Sequence, residues 1–338
     1  MKEKTFFNDL RAHVVFVVAM ILLFACGCED PYDLPPVKPV VVIKPADSIK
    51  MTSATMVALV VPNEDGTQVS FELESTGSGN WQTRTLPLTY SGQDTVKLTS
   101  DLSDLVAGTE YGFRVKASNA AGEVVSDIST FCTYAIVDVD GNLYHTVKIG
   151  NQVWLKENLK VTHYANGEPI PNVTDPEAWG NLTTGAFCWY NNDPKIGEVY
   201  GGLYNWYTVA DPRGLAIKGW HVPTDKEWCD LETFLGGQRE SGPKMMETGL
   251  ALWKNPLVQA TNSSGFTALP NGAIAVSPVT GKFVFMNLGE DAIFWTSELF
   301  GPGAEAVGIS ISHYCILEIG LIYTQNRGFG IRLIKDAE

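Results

Sequence analysis

Residues able to carry covalent or acid–base catalysis are few in this chain, and they are scattered. A nucleophile needs an adjacent base, and hydrolytic acid–base chemistry needs paired carboxylates. His221 is the clearest single candidate for a general base, yet it stands between Trp220 and Val222, directly before a helix-capping sequence. A structural histidine is the better interpretation there. The sequence therefore predicts no catalytic residue and no cofactor.

The cysteines do not indicate a metal site. Beyond the first thirty residues the chain has no Cys-x-x-Cys pair and no histidine at zinc-ligand spacing. An exported chain could form disulfides, but four thiols allow three complete pairings and the sequence does not choose among them. We predict no metal and assign no disulfide to the four cysteines concerned, Cys132, Cys188, Cys229 and Cys315.

Aromatic rings beside amide and carboxylate groups indicate binding instead. Sugar rings stack on the faces of Trp and Tyr, while Asn and Asp orient the hydroxyl groups. Trp179 and the run Tyr190-Asn191-Asn192-Asp193 lie in polar loop sequence and are the candidate ligand-binding residues. The alternative, in which Trp179 and Tyr190 are buried framework aromatics, stays open. Burial in the framework is expected of Trp189, Trp206, Trp220, Trp228 and Trp295.

The first residues have the layout of a secretion signal. Basic residues precede an apolar run, Val14–Ala25, that ends at Cys26. In a helix this run reaches only about 18 Å, short of the roughly 30 Å core of a bilayer. Leu23-Phe24-Ala25-Cys26 resembles the bacterial lipobox, in which cleavage precedes a cysteine that is then acylated. We predict a signal peptide at 1–25 and lipidation of Cys26, with Cys28 as the alternative site.

Residues 26–36 form a proline-rich spacer between the lipid and the first folded unit. Proline fixes φ and keeps such a segment extended. Glu29-Asp30 resembles the acidic export tag of surface lipoproteins in the Bacteroidetes. The chain is therefore expected on the outer membrane, held by its lipid and exposed at the cell surface, so that the membrane is its first partner.

Composition limits the remaining partners. Without the signal peptide roughly 310 residues remain, enough for two domains. A net charge of −14 and a pI of about 4.8 argue against nucleic acid, whose binding depends on basic residues. A hydrophobic content of 45% excludes a disordered chain. A glycan or protein ligand is the remaining expectation.

The first domain is expected at 37–134 as an all-β, immunoglobulin-like sandwich. Short runs rich in β-forming residues, at 55–61, 69–73, 95–99, 111–117 and 129–133, alternate with turns. The sequence from Leu105 to Gly122 (LxxGTxYxxRVxAxNxxG) resembles strand F and the following turn of fibronectin type III domains. The resemblance makes Tyr111 the tyrosine-corner residue, whose hydroxyl bonds the backbone a few residues upstream. We expect this domain to act as a spacer; the alternative is a peptide- or glycan-binding edge.

The second domain is expected at 136–338 as a loop-rich α+β unit. An Asp-Gly-Asn turn at 140–142 joins two strands at its start. Thr224-Asp225-Lys226-Glu227 is a capping box that predicts a helix ending at Gly236-Gly237, with Trp228, Leu231 and Leu235 on its core face. Two weaker helices are predicted at 202–210 and 244–248.

Ordered motifs across 138–336 resemble the Fibrobacter succinogenes major paralogous domain. They include Asp140-Gly141-Asn142, Tyr200-Gly201-x-Leu203-Tyr204-Asn205-Trp206, Gly219-Trp220-His221-Val222-Pro223-Thr224, Phe294-Trp295-Thr296-Ser297 and Ile331-Arg332-x-x-Lys335-Asp336. The run leading into the capped helix also looks like formylglycine-generating enzymes, and that likeness implies a C-type-lectin-like fold. The family's usual cysteines are replaced by Ala216 and Leu333, which suggests that packing takes over from a bridge.

The resemblances do not bring catalysis or calcium with them. The reactive cysteine pair of the formylglycine enzymes has no counterpart, since Cys315 stands alone near that strand. Calcium sites of C-type lectins need several oxygen ligands, and Glu168-Pro169-Ile170 and Tyr190-Asn191-Asn192-Asp193 do not complete the pattern. Two hypotheses remain: a surface protein that binds polysaccharide or host glycoprotein, and a structural or assembly protein of the envelope without a small ligand.

Overall fold

The computed structural model describes residues 35–63, 66–215, 217–249, 252–254, 260–303 and 305–337. The predicted signal peptide, the lipidation site Cys26, its alternative Cys28 and Ala216 lie outside these residues, as does most of the spacer. Within the described ranges, no helix is both long enough and apolar enough to cross a bilayer.

The first unit is a sandwich of two antiparallel sheets. Its strands are β1 (Val40–Asp47), β2 (Ala54–Val61), β3 (Thr67–Ser75), β4 (Gln82–Tyr90), β5 (Val96–Leu102), β6 (Glu110–Asn119), β7 (Gly122–Val125) and β8 (Ser129–Cys132). One sheet has the order β1-β2-β5 and the other β4-β3-β6-β7, with β8 also paired to β6. The predicted sandwich is confirmed.

Burial explains which strands the sequence predicted. Along β6 the side chains of Tyr111, Phe113 and Val115 enter the core with Phe71 of β3 and Met56 of β2. Such strands show the two-residue alternation of a half-buried sheet. Strands β1, β4 and β7 were not predicted, because they lie at sheet edges and most of their side chains are exposed or half-buried.

The tyrosine corner is confirmed. The backbone N–H of Val106 donates to the Tyr111 hydroxyl at 2.9 Å, and the Tyr111 ring stacks on Phe131 with centroids 5.5 Å apart. A single side chain thus fixes the loop before β6 against the core.

The second unit consists of many short strands with five helices among the described residues. The strands are β9 (Ile136–Val137), β10 (Leu143–Tyr144), β11 (Thr146–Ile149), β12 (Gln152–Leu155), β13 (Phe187–Cys188), β14 (Leu203–Asn205), β15 (Trp220–His221), β16 (Asn271–Val276), β17 (Phe283–Leu288), β18 (Asp291–Phe300), β19 (Glu305–Ser312), β20 (Leu317–Thr324), β21 (Gly328–Phe329) and β22 (Ile334–Lys335). The helices are α1 (Pro176–Gly180), α2 (Pro194–Tyr200), α3 (Trp206–Val209), α4 (Asp225–Leu235) and α5 (Gln238–Met245).

Three main sheets organise this unit. Their strand orders are β11-β12-β22-β15, β13-β14-β21-β16-β17 and β18-β19-β20, while β9 and β10 form the predicted hairpin. Strands β12 and β22 pair at Trp154 and Ile334, so the first and last parts of the unit lie side by side. The unit is therefore mostly β, with short helices between the strands.

Helix α4 has the predicted caps. The Glu227 N–H donates to the Thr224 hydroxyl at 3.2 Å, and the Thr224 N–H donates to the Glu227 carboxylate at 2.8 Å. Gly236 ends the helix in the left-handed region at φ 104°, where a side chain would be strained. Trp228 is fully buried, and its ring centroid lies 4.7 Å from that of Trp154.

The two weaker helix predictions are displaced. Residues 203–205 form strand β14, because they pair with β13 and β21, and only Trp206–Val209 is helical. The helix predicted at 244–248 begins earlier, at Gln238, and ends at Met245 because Met246 is extended. Tertiary strand pairing overrides local sequence in the first case.

Candidate functional site

Trp179 is a core residue, so its prediction as a stacking platform was wrong. Its side chain is 0% exposed, and its indole N–H donates to the Asn326 carbonyl at 2.7 Å. Helix α1, capped by the carboxylate of Asp175, presents the ring to Ile274 of β16. A buried indole needs an acceptor for its N–H. Trp179 has one within the chain and offers no face to a ligand.

Tyr190 is also buried, and its prediction as a platform was wrong. Only 8% of it is exposed, and its ring lies 5.3 Å from that of Phe285 on β17. Burial raises the pKa of its hydroxyl. A 3₁₀ turn at Tyr190–Asn192 directs the ring inward, which the polar character of the loop did not reveal.

The three polar residues after Tyr190 shape the turn. Asn191 and Asn192 have positive φ values of 52° and 57°, which Asn tolerates better than most residues. The Asn192 side chain donates to the Thr174 carbonyl at 2.8 Å, and Asp193 caps helix α2 by accepting from the Lys195 N–H at 2.9 Å. Asn192 and Asp193 therefore hold the loop in place, while Asn191 is exposed.

A pocket of about 300 Å³ opens directly beside this turn. We call it the Trp189 pocket. Trp189 is partly exposed, and its ring meets Phe187 edge to face with centroids 5.3 Å apart. Gly197 lies so close to the indole that an added Cβ would come within 2.2 Å of Cε3. The other lining residues are Asp140, Asn142, Lys160, Thr162, Pro194 and Glu198.

Some polar groups on the rim of the Trp189 pocket are fixed by hydrogen bonds within the chain, and others have no hydrogen-bond partner among the described residues. Burial acts to raise the pKa of Asp140, but hydrogen bonds from Thr162 and His163 outweigh it, and the net effect lowers that pKa. The His163 Nδ1 lies 2.5 Å from Asp140 Oδ1. Among the described residues, the side chains of Lys160 and Glu198 have no hydrogen bond or ion pair. The pocket thus combines an indole, a fixed carboxylate and two unengaged charges.

A larger cavity of about 440 Å³ lies between the β16–β17 hairpin and the sheet β18-β19-β20. We call it the hairpin cleft. Its floor is apolar, with Ala273, Ala275 and Ile293, and its rim carries Asp291 and Arg327. The Asn287 side chain donates to Asp291 Oδ2 at 2.7 Å. Burial raises the pKa of Asp291 despite this hydrogen bond, a perturbation typical of functional clefts.

His221 is a structural residue. Its Nδ1 lies 2.7 Å from Asp336 Oδ1 and its Nε2 lies 2.9 Å from Glu227 Oε1. The ring therefore joins the C-terminal strand to the cap of α4, and both nitrogens are engaged. Partners within the chain therefore satisfy both ring nitrogens, as expected of a structural histidine.

The four described cysteines are free thiols. Burial raises the pKa of Cys188 and of Cys315, which leaves these thiols protonated and unreactive at neutral pH. Over the ranges that the structure describes, no three His, Cys, Asp or Glu side chains are grouped so as to hold a metal ion.

The chain is mostly β, with a fibronectin type III-like sandwich followed by a second β-rich unit, and the Trp189 pocket and the hairpin cleft both lie in the second unit. The sequence model of the Fibrobacter succinogenes major domain matches residues 147–335. This covers more than half of the chain, and the chain belongs to that family.

Solved structures similar to the chain match about the length of its first unit. The sensor domain of an anti-sigma factor from Pseudobacteroides cellulosolvens is 24% identical, with 30% of this chain and 98% of that chain covered and a TM-score of 0.25. The fibronectin type III domain of human fibronectin type III domain containing protein 3 is 23% identical, with 32% and 94% covered and a TM-score of 0.21. No curated protein matches the chain.

Sequence reasoning missed the residues that line both cavities. Trp189 was expected to be buried, yet it is partly exposed and directly precedes the loop Tyr190-Asn191-Asn192-Asp193 that was predicted to bind a ligand. The sequence signal that was available is Gly197, since Gly in the middle of a helix allows close approach of a ring such as that of Trp189. Asp291, Glu318 and Arg327 were not considered, because no motif links them and only the folding of β18, β20 and the turn after β20 brings them to one cleft.

Proposed function

We propose that the chain is a non-catalytic binding protein, displayed at the cell surface by a lipid anchor, and that the Trp189 pocket binds saccharide units of a polysaccharide or glycoprotein. One observation carries the proposal: a partly exposed indole forms one wall of a pocket whose rim holds Asp140, Asn142, Lys160 and Glu198. Such a pocket can stack a sugar ring and hydrogen-bond its hydroxyl groups at the same time.

The surroundings of the Trp189 indole and of Asp140 support saccharide binding in this pocket. Phe187 and Gly197 hold Trp189 in one orientation, so the ring loses little freedom when a ligand binds. Asp140 is fixed by Thr162 and His163, and its carboxylate stays ionised at neutral pH. Preorganised acceptors of this kind orient hydroxyl groups.

Placement at the outer membrane is part of the proposal. Acylation of Cys26 would supply several lipid chains, and more than one chain is needed for stable anchoring. The intact mass of the mature protein should correspond to a triacylated Cys26, and Cys26→Ser should release the protein from membranes. A mature chain that starts elsewhere, or a membrane-bound variant, would overturn this part.

We also propose that the second unit has a C-type-lectin-like fold. The resemblance of Trp220-His221-Val222-Pro223-Thr224 and the helix that follows to formylglycine-generating enzymes supports it. An experimental structure of the unit that superposes on a C-type lectin over only a minor part of its length would contradict it.

The test of binding is a glycan array probed with residues 29–338. We expect specific saccharides to retain the wild-type protein, and Trp189→Ala to weaken retention at least tenfold, about 1.4 kcal/mol or more. Tyr314→Ala is the matched control, because Tyr314 is exposed and lines neither cavity. Glu198→Gln, at an exposed residue, should also weaken retention without affecting the fold.

The competing function is a structural or assembly protein of the envelope without a small ligand. An array and a polysaccharide pull-down that both fail with correctly folded protein would favour it. Retention that is equal in wild type, Trp189→Ala and Glu198→Gln would move the binding surface away from the Trp189 pocket.

A further inference from the structure

The hairpin cleft is a second cavity that shares no lining residue with the Trp189 pocket. Two sheets meet along β16, β18 and β21 and end in the edge strands β17 and β20. Between them the floor is apolar, formed by Ala273, Ala275, Ile293 and Phe329. The volume of about 440 Å³ lies within the range of sites that hold small ligands.

A β-bulge places the charged and aromatic groups of β20 on one face. Glu318 and Tyr323 are an odd number of residues apart, so a regular strand would direct them to opposite faces. The pairing register shifts between Gly308 and Ser310, and Gly320 absorbs the extra residue at φ +74°. Both Glu318 and Tyr323 therefore line the cleft.

One end of the cleft carries a cation that has no ion-pair partner among the described residues. The Arg327 guanidinium lies over the Tyr323 ring, 5.1 Å from its centroid. Its Nε is buried without a hydrogen-bond partner, and Arg327 forms no ion pair with any described residue. An unsatisfied buried donor is unfavourable. Arg327 lines the cleft, and a carboxylate there would form an ion pair with its guanidinium, whose fork matches the two oxygens of that group.

The opposite end is acidic. Asp291, at the start of β18, pairs in register with Ser312, while Glu318 pairs with Ser310. The Asn287 side chain donates a hydrogen bond to only one carboxylate oxygen of Asp291. Neither carboxylate has an ion-pair partner within the described part of the chain. An ammonium group would find two acceptors there.

The two ends are separated by the length of β20. From Glu318 to Tyr323 an extended strand covers roughly 15 Å, and Arg327 lies beyond Tyr323 in the turn that follows. We propose that the hairpin cleft binds a short extended peptide, with its free carboxylate at Arg327 and its terminal ammonium at Asp291 and Glu318.

The chemistry of the cleft favours a peptide over a saccharide. Its charges are opposite and lie far apart, as the termini of a peptide do, and a neutral sugar would leave both unpaired. A chain of four residues spans about 13–14 Å when extended, comparable to the roughly 15 Å of strand between Glu318 and Tyr323. The small side chains of Ala273 and Ala275 leave space for the peptide's own side chains along the floor.

Titration calorimetry of residues 29–338 with tetraalanine tests the proposal. We expect saturable binding of the peptide with free termini, and an affinity at least tenfold lower after N-acetylation or C-amidation. Dialanine should bind at least tenfold more weakly, because it is too short to reach both ends. Absence of saturable binding in the millimolar range, or equal binding of free and capped peptides, would overturn the proposal.

Variants assign each end. Arg327→Gln should remove the difference in affinity between the peptide with a free C-terminal carboxylate and the C-amidated peptide. Glu318→Gln, at an exposed position, should reduce the difference in affinity between the peptide with a free N-terminal amine and the N-acetylated peptide. Arg239→Gln, at an exposed arginine on α5, should change neither. Glu198→Gln should leave peptide binding intact, so failure of the peptide site and failure of the saccharide site are separate results. Variants that fold and keep the wild-type preference for free termini would contradict the assignment.

Discussion

Arg332 shows how this family member accommodates a buried cation. The residue is 0% exposed, and its guanidinium donates to Asn158 Oδ1 and to the Phe266 carbonyl, both at 2.6 Å. It also lies 4.4 Å from the centroid of the Phe266 ring. Burial lowers the pKa of Arg332 to about 9, so the group remains charged at neutral pH. Neutral oxygens and an aromatic face replace the lost hydration.

Replacing Arg332 should therefore be severe. Arg332→Met fills part of the volume but leaves the acceptors on Asn158, Leu155 and Phe266 without donors. We expect the free energy of unfolding to fall by about 3–5 kcal/mol, since each unsatisfied buried group costs about 1–3 kcal/mol. Urea unfolding measures this, with Arg239→Met as the control at an exposed arginine. A loss as small as that of the control would contradict the account.

Asp291 should make stability depend on pH. Burial raises its folded-state pKa above the unfolded value, so the ionised carboxylate destabilises the folded protein at neutral pH. Below about 3.9 the group is neutral in both states and this penalty is absent. With respect to Asp291, the folded protein is thus more stable at low pH, and this stability is lost as the pH rises through the folded-state pKa of this residue. Asp291→Asn should raise the melting temperature at pH 7 and have little effect near pH 3. An equal effect at both pH values would refute the assignment.

At the scale of residues, the sequence predicted the structural roles of side chains better than it predicted their exposure to solvent. Tyr111 and Thr224 have the predicted contacts, because each acts on neighbours in sequence or within a short motif. Trp179, which the sequence left open between ligand contact and framework, is buried, whereas Trp189, expected to be buried, is partly exposed. Exposure depends on which distant strand covers a ring, and for Trp179 that is β16, far along the chain.

Helix α4 allows a quantitative test of an element. Thr224→Ala removes the acceptor of the Glu227 N–H and should lower stability by about 0.5–2 kcal/mol. Trp228→Ala empties a site lined by Trp154, Phe266 and Phe294 and should cost about 3–5 kcal/mol. Thr224→Ser is the matched control, because it keeps the hydroxyl. Denaturant unfolding of 29–338 measures all three, and equal, negligible losses in the two disruptive variants would mean that the helix is misplaced.

At the scale of elements, predictability followed local signals. The capped helix α4 and the alternating strand β6 were predicted to within one or two residues. The strands β13 to β22 were not predicted, and five of them have only two or three residues each: β13, β14, β15, β21 and β22. The hairpin cleft is built from the longer strands β16 to β20, but it arises where two separate sheets meet, and no local sequence pattern indicates that contact.

Across the whole molecule, the two units are predicted to fold independently. The buried apolar residues from 54 to 131 form one cluster, and those from 144 to 334 form separate clusters. Contacts near the junction include His145, whose Nε2 lies 3.1 Å from the Cys132 carbonyl. Residues 37–135 and 136–338, expressed separately, should each unfold cooperatively. If neither does, independence is refuted.

The central claim is that the Trp189 pocket binds a saccharide, and the indole signals of the tryptophans test it most directly. In a nitrogen–proton NMR spectrum of residues 29–338, the signal of Trp189 is assigned by its loss in Trp189→Phe. Adding the saccharide selected on the array should shift the Trp189 signal progressively to saturation, while the signals of the buried Trp179 and Trp228 stay in place. A bound saccharide that leaves the Trp189 signal unmoved would contradict the claim.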